Sequence, residues 1–167
     1  GEAAKHGKRV QCLCEAKNHA LVLEDAPIAR TAAGIINSSF GCAGERCMAL
    51  PVVVVQESIA DALVEEIVKQ VKTKKVGPAY EKDTDLGPVV TAEHKKFVCD
   101  WIQKGIDEGA KVVLDGRDIK VEGYENGFYV GHTILDHVTE EMTVGQREIF
   151  GPVLCIKRVK DFEEGLK

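Results

Sequence analysis

The 167-residue sequence has no apolar run approaching the roughly 20 residues needed to cross a bilayer; Val52–Val55 is only a strand's length. No membrane role is expected, and the chain reads as soluble. Basic residues are not in excess either: 22 Lys and Arg stand against 27 Asp and Glu, a net charge of −5. No cationic face is therefore expected to neutralise phosphates, which argues against nucleic acid as a partner. The opening Gly1–Arg9 is polar and mixed in charge, without the apolar stretch and small-residue cleavage site of a secretory signal. Six cysteines (Cys12, Cys14, Cys42, Cys47, Cys99, Cys155) include no C-x-x-C pair and no histidines at ligand spacing, so no metal site is predicted. They read as free thiols in a reducing, intracellular compartment, most of them small buried apolar residues. There is no internal repeat and no low-complexity linker; Lys74–Asp85 alone has the character of a flexible connector.

What is present alternates between strand and helix. Ala20–Leu23 reads as a short strand, followed by Asp25 as N-cap and Pro27 in the first turn of a helix whose inward stripe is Ile28, Ala32, Ile35 and Phe40. The unbroken Val52–Val55 run suits a central strand covered on both faces. Ser58 and Asp61 resemble a capping box, ahead of a helix with Ile59, Leu63, Ile67 and Val71 inward. A further helix is predicted from Thr91 to a glycine cap at Gly109, burying Phe97, Trp101, Ile102 and Ile106. Val112–Leu114 and Val153–Val159 read as strands, Gly123–Gly131 as a loop or short hairpin, and Asp161–Lys167 as the opening of a helix. The pattern predicts an α/β fold with an open, mostly parallel sheet flanked by helices.

The chemistry concentrates at Gly41-Cys42-Ala43-Gly44-Glu45-Arg46-Cys47, the turn between the Pro27 helix and the Val52 strand. Small residues there let backbone amides approach a reacting carbonyl, and the Arg46 cation favours a thiolate at Cys47. A thiolate adds to an aldehyde to give a thiohemiacetal, whose oxyanion needs such amides. Read locally, Cys47 is more readily a packing residue in a glycine-rich turn, as free cysteines usually are. Gly44-Glu45-Arg46-Cys47-Met48-Ala49 resembles the cysteine motif of aldehyde dehydrogenases, in particular the CoA-acylating methylmalonate-semialdehyde dehydrogenase branch. Ala16-Lys17-Asn18-His19, Asp85-Leu86-Gly87-Pro88 and Glu148-Ile149-Phe150-Gly151-Pro152-Val153 match the same branch, in order, over essentially the whole chain.

The resemblance implies a role for each matching residue. Cys47 becomes the catalytic nucleophile, its backbone amide one donor of the oxyanion hole, with an asparagine of an upstream domain as the other. Arg46 becomes a substrate-binding residue for the carboxylate of a small-molecule semialdehyde, and a second arginine is expected upstream. Glu148 and Phe150 become cofactor-binding residues for the ribose and nicotinamide of NAD. Leu13 stands where hydrolytic members carry a general-base glutamate. The thioester on Cys47 is therefore expected to wait for coenzyme A as acyl acceptor, giving propanoyl-CoA or acetyl-CoA with loss of CO2. Cys14 and Glu15 stand where the branch usually has glycines, Glu45 where glutamine is common and His132 where proline is favoured. Glu15 is a candidate displaced base.

The resemblance further implies that residues 1–167 form a partial, cysteine-bearing catalytic domain. A nucleotide-binding domain and a C-terminal oligomerisation part would lie outside the chain, the isolated chain would have little activity, and the full-length protein would be a homo-oligomer. The compartment is the mitochondrial matrix if the source is eukaryotic and the cytoplasm if bacterial, with a role in valine or pyrimidine breakdown. Two other readings stay open: a hydrolytic aldehyde dehydrogenase, and a non-catalytic structural or binding module.

Overall fold

A computed structural model describes residues 1–167. In chain order the elements are α1 (Glu2–Lys5), β1 (His19–Val22), α2 (Ile28–Phe40), a distorted turn over Gly41–Gly44, β2 (Val52–Gln56), α3 (Glu57–Val71), α4 (Ala92–Asp107), β3 (Lys111–Leu114), β4 (Thr133–Asp136), α5 (Thr143–Gln146), β5 (Val153–Val159) and α6 (Phe162–Gly165). The strands form one sheet in the order β1-β2-β5-β4-β3. Every pairing is parallel except β3 with β4, so the predicted α/β fold with an open, mostly parallel sheet is the one observed.

All five residues of β2 are buried, as an unalternating valine run at the sheet centre requires. Burying each valine contributes roughly 1.5–3 kcal/mol. The helix α2 covers this centre with Ala32, Ile35, Ile36 and Phe40, and α3 with Ala60, Leu63, Val64 and Ile67. Ile28, at the start of the predicted stripe, is only half-buried.

Several local expectations are corrected. Asp25 does not cap α2; Pro27 occupies the N-cap without a side-chain hydrogen bond. Ser58 does not cap α3 either, because that helix starts at Glu57. Asp61 instead pairs with Arg158 of β5 at 2.7 Å. Thr91 is the cap of α4, its Oγ1 accepting from the His94 amide at 3.1 Å; of the predicted stripe Ile102 is buried and Trp101 and Ile106 are half-buried against the core, while Val98 and Gly105 complete the buried line. Phe97 lies at the surface. The shift follows from Gly105, where an added Cβ would sit 2.9 Å from Val144 Cγ1 and 3.0 Å from Leu135 Cδ1, so α4 rides closely over β4 and α5 along that line. Gly109 does supply the left-handed exit, at φ +106°. Lys74–Asp85 is no loose connector: Lys74 pairs with Asp85, Lys75 with Glu81 and Asp83, and Val76 bridges to Leu86. No helix is long and apolar enough to cross a membrane.

Candidate active site

The turn after α2 holds three successive residues in the left-handed region: Cys42 (φ 53°), Ala43 (φ 55°) and Gly44 (φ 71°). Cys42 and Ala43 pay the steric penalty of a Cβ in that region; such strain gathers where surrounding structure over-determines a functional turn. Gly44 has a further constraint, since a Cβ there would lie 2.1 Å from the Gly151 carbonyl oxygen. The turn that leads to Cys47 and the segment before β5 therefore touch backbone to backbone. That contact brings Arg46, Cys47, Glu148 and Phe150, the four residues singled out from the sequence, into the wall of one small cleft with Asn18 and Ser39.

Cys47 is exposed, and its N–H donates to no acceptor within the chain. Its carbonyl accepts from Asn18 Nδ2 at 3.0 Å, and the same amide reaches the Ala49 carbonyl at 2.7 Å. One side chain at the mouth of β1 thus fixes the loop on which Cys47 sits. Ser39 Oγ donates to the Leu50 carbonyl at 2.6 Å and closes the loop from the α2 side. The sequence marked Asn18 only as part of a motif; a polar residue immediately before an edge strand was the signal for a loop anchor.

Arg46 faces away from the cleft's centre. Its Nη2 donates to the Asn37 and Ser38 carbonyls at 2.8 and 2.9 Å, adding a cationic donor at the C-terminus of α2 to carbonyls that already accept from the Gly41 and Leu50 amides. Gly41 leaves room for this guanidinium, since a Cβ there would meet Nη2 at 2.5 Å. Nε is buried without a partner. The cation beside Cys47 therefore acts as a helix cap.

Glu15 is tied to the other wall. Its Oε1 accepts from Arg147 Nε at 2.9 Å and from the Glu148 amide at 3.1 Å. The Arg147 guanidinium first, and then the Glu148 amide, hold the Glu15 carboxyl below its usual range. A carboxylate engaged in this way is a poor general base, so Glu15 acts on the position of Glu148. Lys17, buried with an unpartnered Nζ, has its amine pushed down by desolvation, opposed by the charges of Cys155, Glu148 and Glu15. Cys155, fully buried in β5, has its thiol pushed up to about 11 by that burial, which suits a packing cysteine. No cluster of His, Cys, Asp and Glu could hold a metal ion.

This fold, with a cysteine turn locked against the segment that opens β5, belongs to the aldehyde dehydrogenase family, whose profile matches residues 1–167. Among curated relatives, malonate-semialdehyde dehydrogenase 1 of Oceanobacillus iheyensis is 48% identical over 162 residues, covering 97% of this chain and 33% of the relative. Malonate-semialdehyde dehydrogenase 1 of Bacillus thuringiensis is 48% identical over 163 residues, again covering 33% of its length. Among solved structures, the methylmalonate-semialdehyde dehydrogenase of Oceanimonas doudoroffii superposes with a TM-score of 0.93 at 44% identity, covering 98% of this chain and 34% of that one. A Sinorhizobium meliloti protein described as a methylmalonate-semialdehyde dehydrogenase and solved with NAD gives the same values. The chain thus spans about a third of the length of the curated relatives it matches.

Proposed function

We propose that residues 1–167 are the cysteine-bearing part of the catalytic domain of a CoA-acylating (methyl)malonate-semialdehyde dehydrogenase. The observation that carries this reading is the single cleft formed by Cys47, Arg46, Glu148 and Phe150, two chain segments held together by the Gly44–Gly151 approach. The relatives' names support the substrate class, and an arginine beside the nucleophile suits an aldehyde that also carries a carboxylate.

In this reading the Cys47 sulfur adds to the aldehyde carbonyl, and its free N–H donates to the resulting oxyanion. Arg46 lines the cleft beside Cys47 and would hold the substrate carboxylate through Nη1, which is left unbonded after Nη2 has capped α2. The residues present fit a nicotinamide cofactor: Glu148 and the half-buried Phe150 ring line the cleft, and hydrogen bonds to the Glu148 amide and the Phe150 carbonyl fix their backbone. When bound, NAD accepts the hydride of the thiohemiacetal carbon. Glu148 would hold its ribose, and Phe150 would pack beside its nicotinamide. Leu13 is 81% exposed and cannot accept a proton, and Glu15 is engaged by Arg147. With neither side chain available to activate water, the Cys47 thioester persists until a thiol attacks. The acyl thioester on Cys47 loses its β-carboxylate as CO2, the α-carbon taking up a proton from water, and the thiol of coenzyme A then displaces the Cys47 thiolate to give propanoyl-CoA or acetyl-CoA. The upstream nucleotide-binding domain and the oligomerisation part belong to the whole protein, a homo-oligomer acting within the cell.

Alkylation of the folded chain, mapped by mass spectrometry, tests the nucleophile: Cys47 is expected to react faster than Cys12, Cys14 or Cys42, which are also exposed. Equal rates at all four would overturn the assignment. In the full-length protein, acyl-CoA formed only when CoA is supplied fits the acylating reading, and free acid formed without CoA would favour a hydrolytic enzyme. Leu13→Glu is expected to raise hydrolysis of the thioester.

A further inference from the structure

His94 connects both walls of the cleft, although it belongs to none of the motifs that mark the site. It lies in the first turn of α4, with its side chain 20% exposed. Nε2 is 2.6 Å from the Phe150 carbonyl oxygen and 3.5 Å from Glu45 Oε1. That Glu45 oxygen also accepts from the Val90 amide at 3.1 Å. The imidazole stacks on Phe97 at 5.6 Å and meets the Phe150 ring edge-on at 6.4 Å. Because a carbonyl oxygen only accepts, Nε2 carries the proton in the contact with Phe150.

Phe150 needs such a partner. Its φ is +58°, a conformation that is a genuine outlier for a bulky side chain and costs on the order of 1–3 kcal/mol. Its neighbours hold the segment on either side: the Glu148 amide is held by Glu15, and the Gly151 carbonyl lies against Gly44. The Phe150 carbonyl is the remaining point, and His94 is the only side chain that donates to it. Glu45, two residues before Cys47, lies 3.5 Å from the same nitrogen.

We infer that His94 is a positioning residue: its Nε2–H holds the Phe150 carbonyl and keeps that residue left-handed, while Glu45 couples the clamp to the nucleophile turn. The geometric claim stands by itself; only its consequence for cofactor placement rests on the proposed function. A ring without a donor should keep the stacking and lose the clamp, so His94→Phe separates positioning from packing. Glutamine retains an N–H donor and serves as the conservative rescue.

The chain contains two Phe-Gly pairs, Phe40-Gly41 and Phe150-Gly151. Labelling Phe carbonyls with carbon-13 and Gly amides with nitrogen-15 therefore gives two linked resonances, the first an internal control. In His94→Phe the Phe150 carbonyl is expected to move upfield while Phe40 stays in place, and His94→Gln is expected to return it. An unmoved Phe150 resonance in His94→Phe would overturn the clamp, as would failure of glutamine to restore it. Should the phenylalanine variant not fold, the unsubstituted chain decides: nitrogen-15 shifts of His94 in mildly alkaline buffer must report the Nε2–H tautomer, and an Nδ1–H tautomer sinks the proposal. Alkylation of Cys47 in the same preparation keeps the two questions separate. An inert Cys47 beside an intact clamp would count against the proposed function alone.

Discussion

At the scale of single residues, the site depends on atoms that are missing as much as on those that react. Gly44 lacks a Cβ where one would overlap the Gly151 carbonyl, and it supplies φ +71° at the end of a left-handed run. Gly44→Ala must push apart the Cys47 turn and the Glu148–Phe150 segment. We expect it to lower stability by about 2 kcal/mol through strain and lost contact. Denaturant unfolding measures the first effect. The rate of Cys47 alkylation relative to Cys42 measures the second, and an unchanged ratio would show that the nucleophile does not depend on that contact. Asn18, Glu15 and His94 belong to the same scale, since each directs a hydrogen bond at the backbone of a residue in the cleft wall.

Among the elements, β5 ties the sheet together, lying between β2 and β4. Its Arg158 carries the main electrostatic link. Nε and Nη2 reach Asp136 of β4 at 3.1 and 2.7 Å, while Nη1 reaches Asp61 of α3 at 2.7 Å. Asp136 is 2% exposed, so its carboxylate relies on that guanidinium. Hydrogen bonding to Asp136 raises the Arg158 pKa further above its ordinary value. Removing one member of a buried pair leaves an uncompensated charge, a loss of about 3–5 kcal/mol. Arg158→Met is therefore expected to lower the unfolding midpoint strongly, and Arg158→Met with Asp136→Leu to recover much of the loss. A double variant no more stable than the single one would mean that the pair is not what Arg158 contributes.

Over the whole molecule, pH acts through a residue remote from the chemistry. His132 is 6% exposed, packs edge-on against Phe40 at 4.7 Å and lines a hollow of about 310 Å3 with Lys74 and Asp85. Burial lowers its pKa from 6.5 to about 4, with Lys74 adding to the shift and Asp85 opposing it. The folded pKa lies below the unfolded one, so the neutral folded form is fully favoured above 6.5. As pH falls from 6.5 towards 4 the unfolded chain takes up a proton that folded His132 refuses, and stability drops. A shift of that size corresponds to about 3 kcal/mol over the window. Chemical unfolding at a series of pH values should show this loss, and His132→Phe should flatten it. The same slope in both chains would place the pH dependence elsewhere.

The long, strongly patterned features were legible in the sequence itself: the valine run of β2, the amphipathic α3, the Thr91 cap of α4, the β5 run and the cysteine motif. Each is written in contiguous residues whose burial or hydrogen bonding is local. β4 escaped because four residues just after the glycine-rich Gly123–Gly131 stretch carry too little periodicity, and its identity as a strand comes from pairing with β3 and β5. The Ser58 capping box failed for a related reason: β2 runs directly into α3, and Asp61 found a stronger partner in Arg158. The sequence alone determined the element types of the core, the likeness to the family and the list of candidate site residues. Only the tertiary structure decided how those residues meet, because the Gly44–Gly151 approach, the Arg46 helix cap and the His94 contact join segments that are far apart along the chain or turned by the backbone. Such contacts depend on packing geometry that no local pattern encodes.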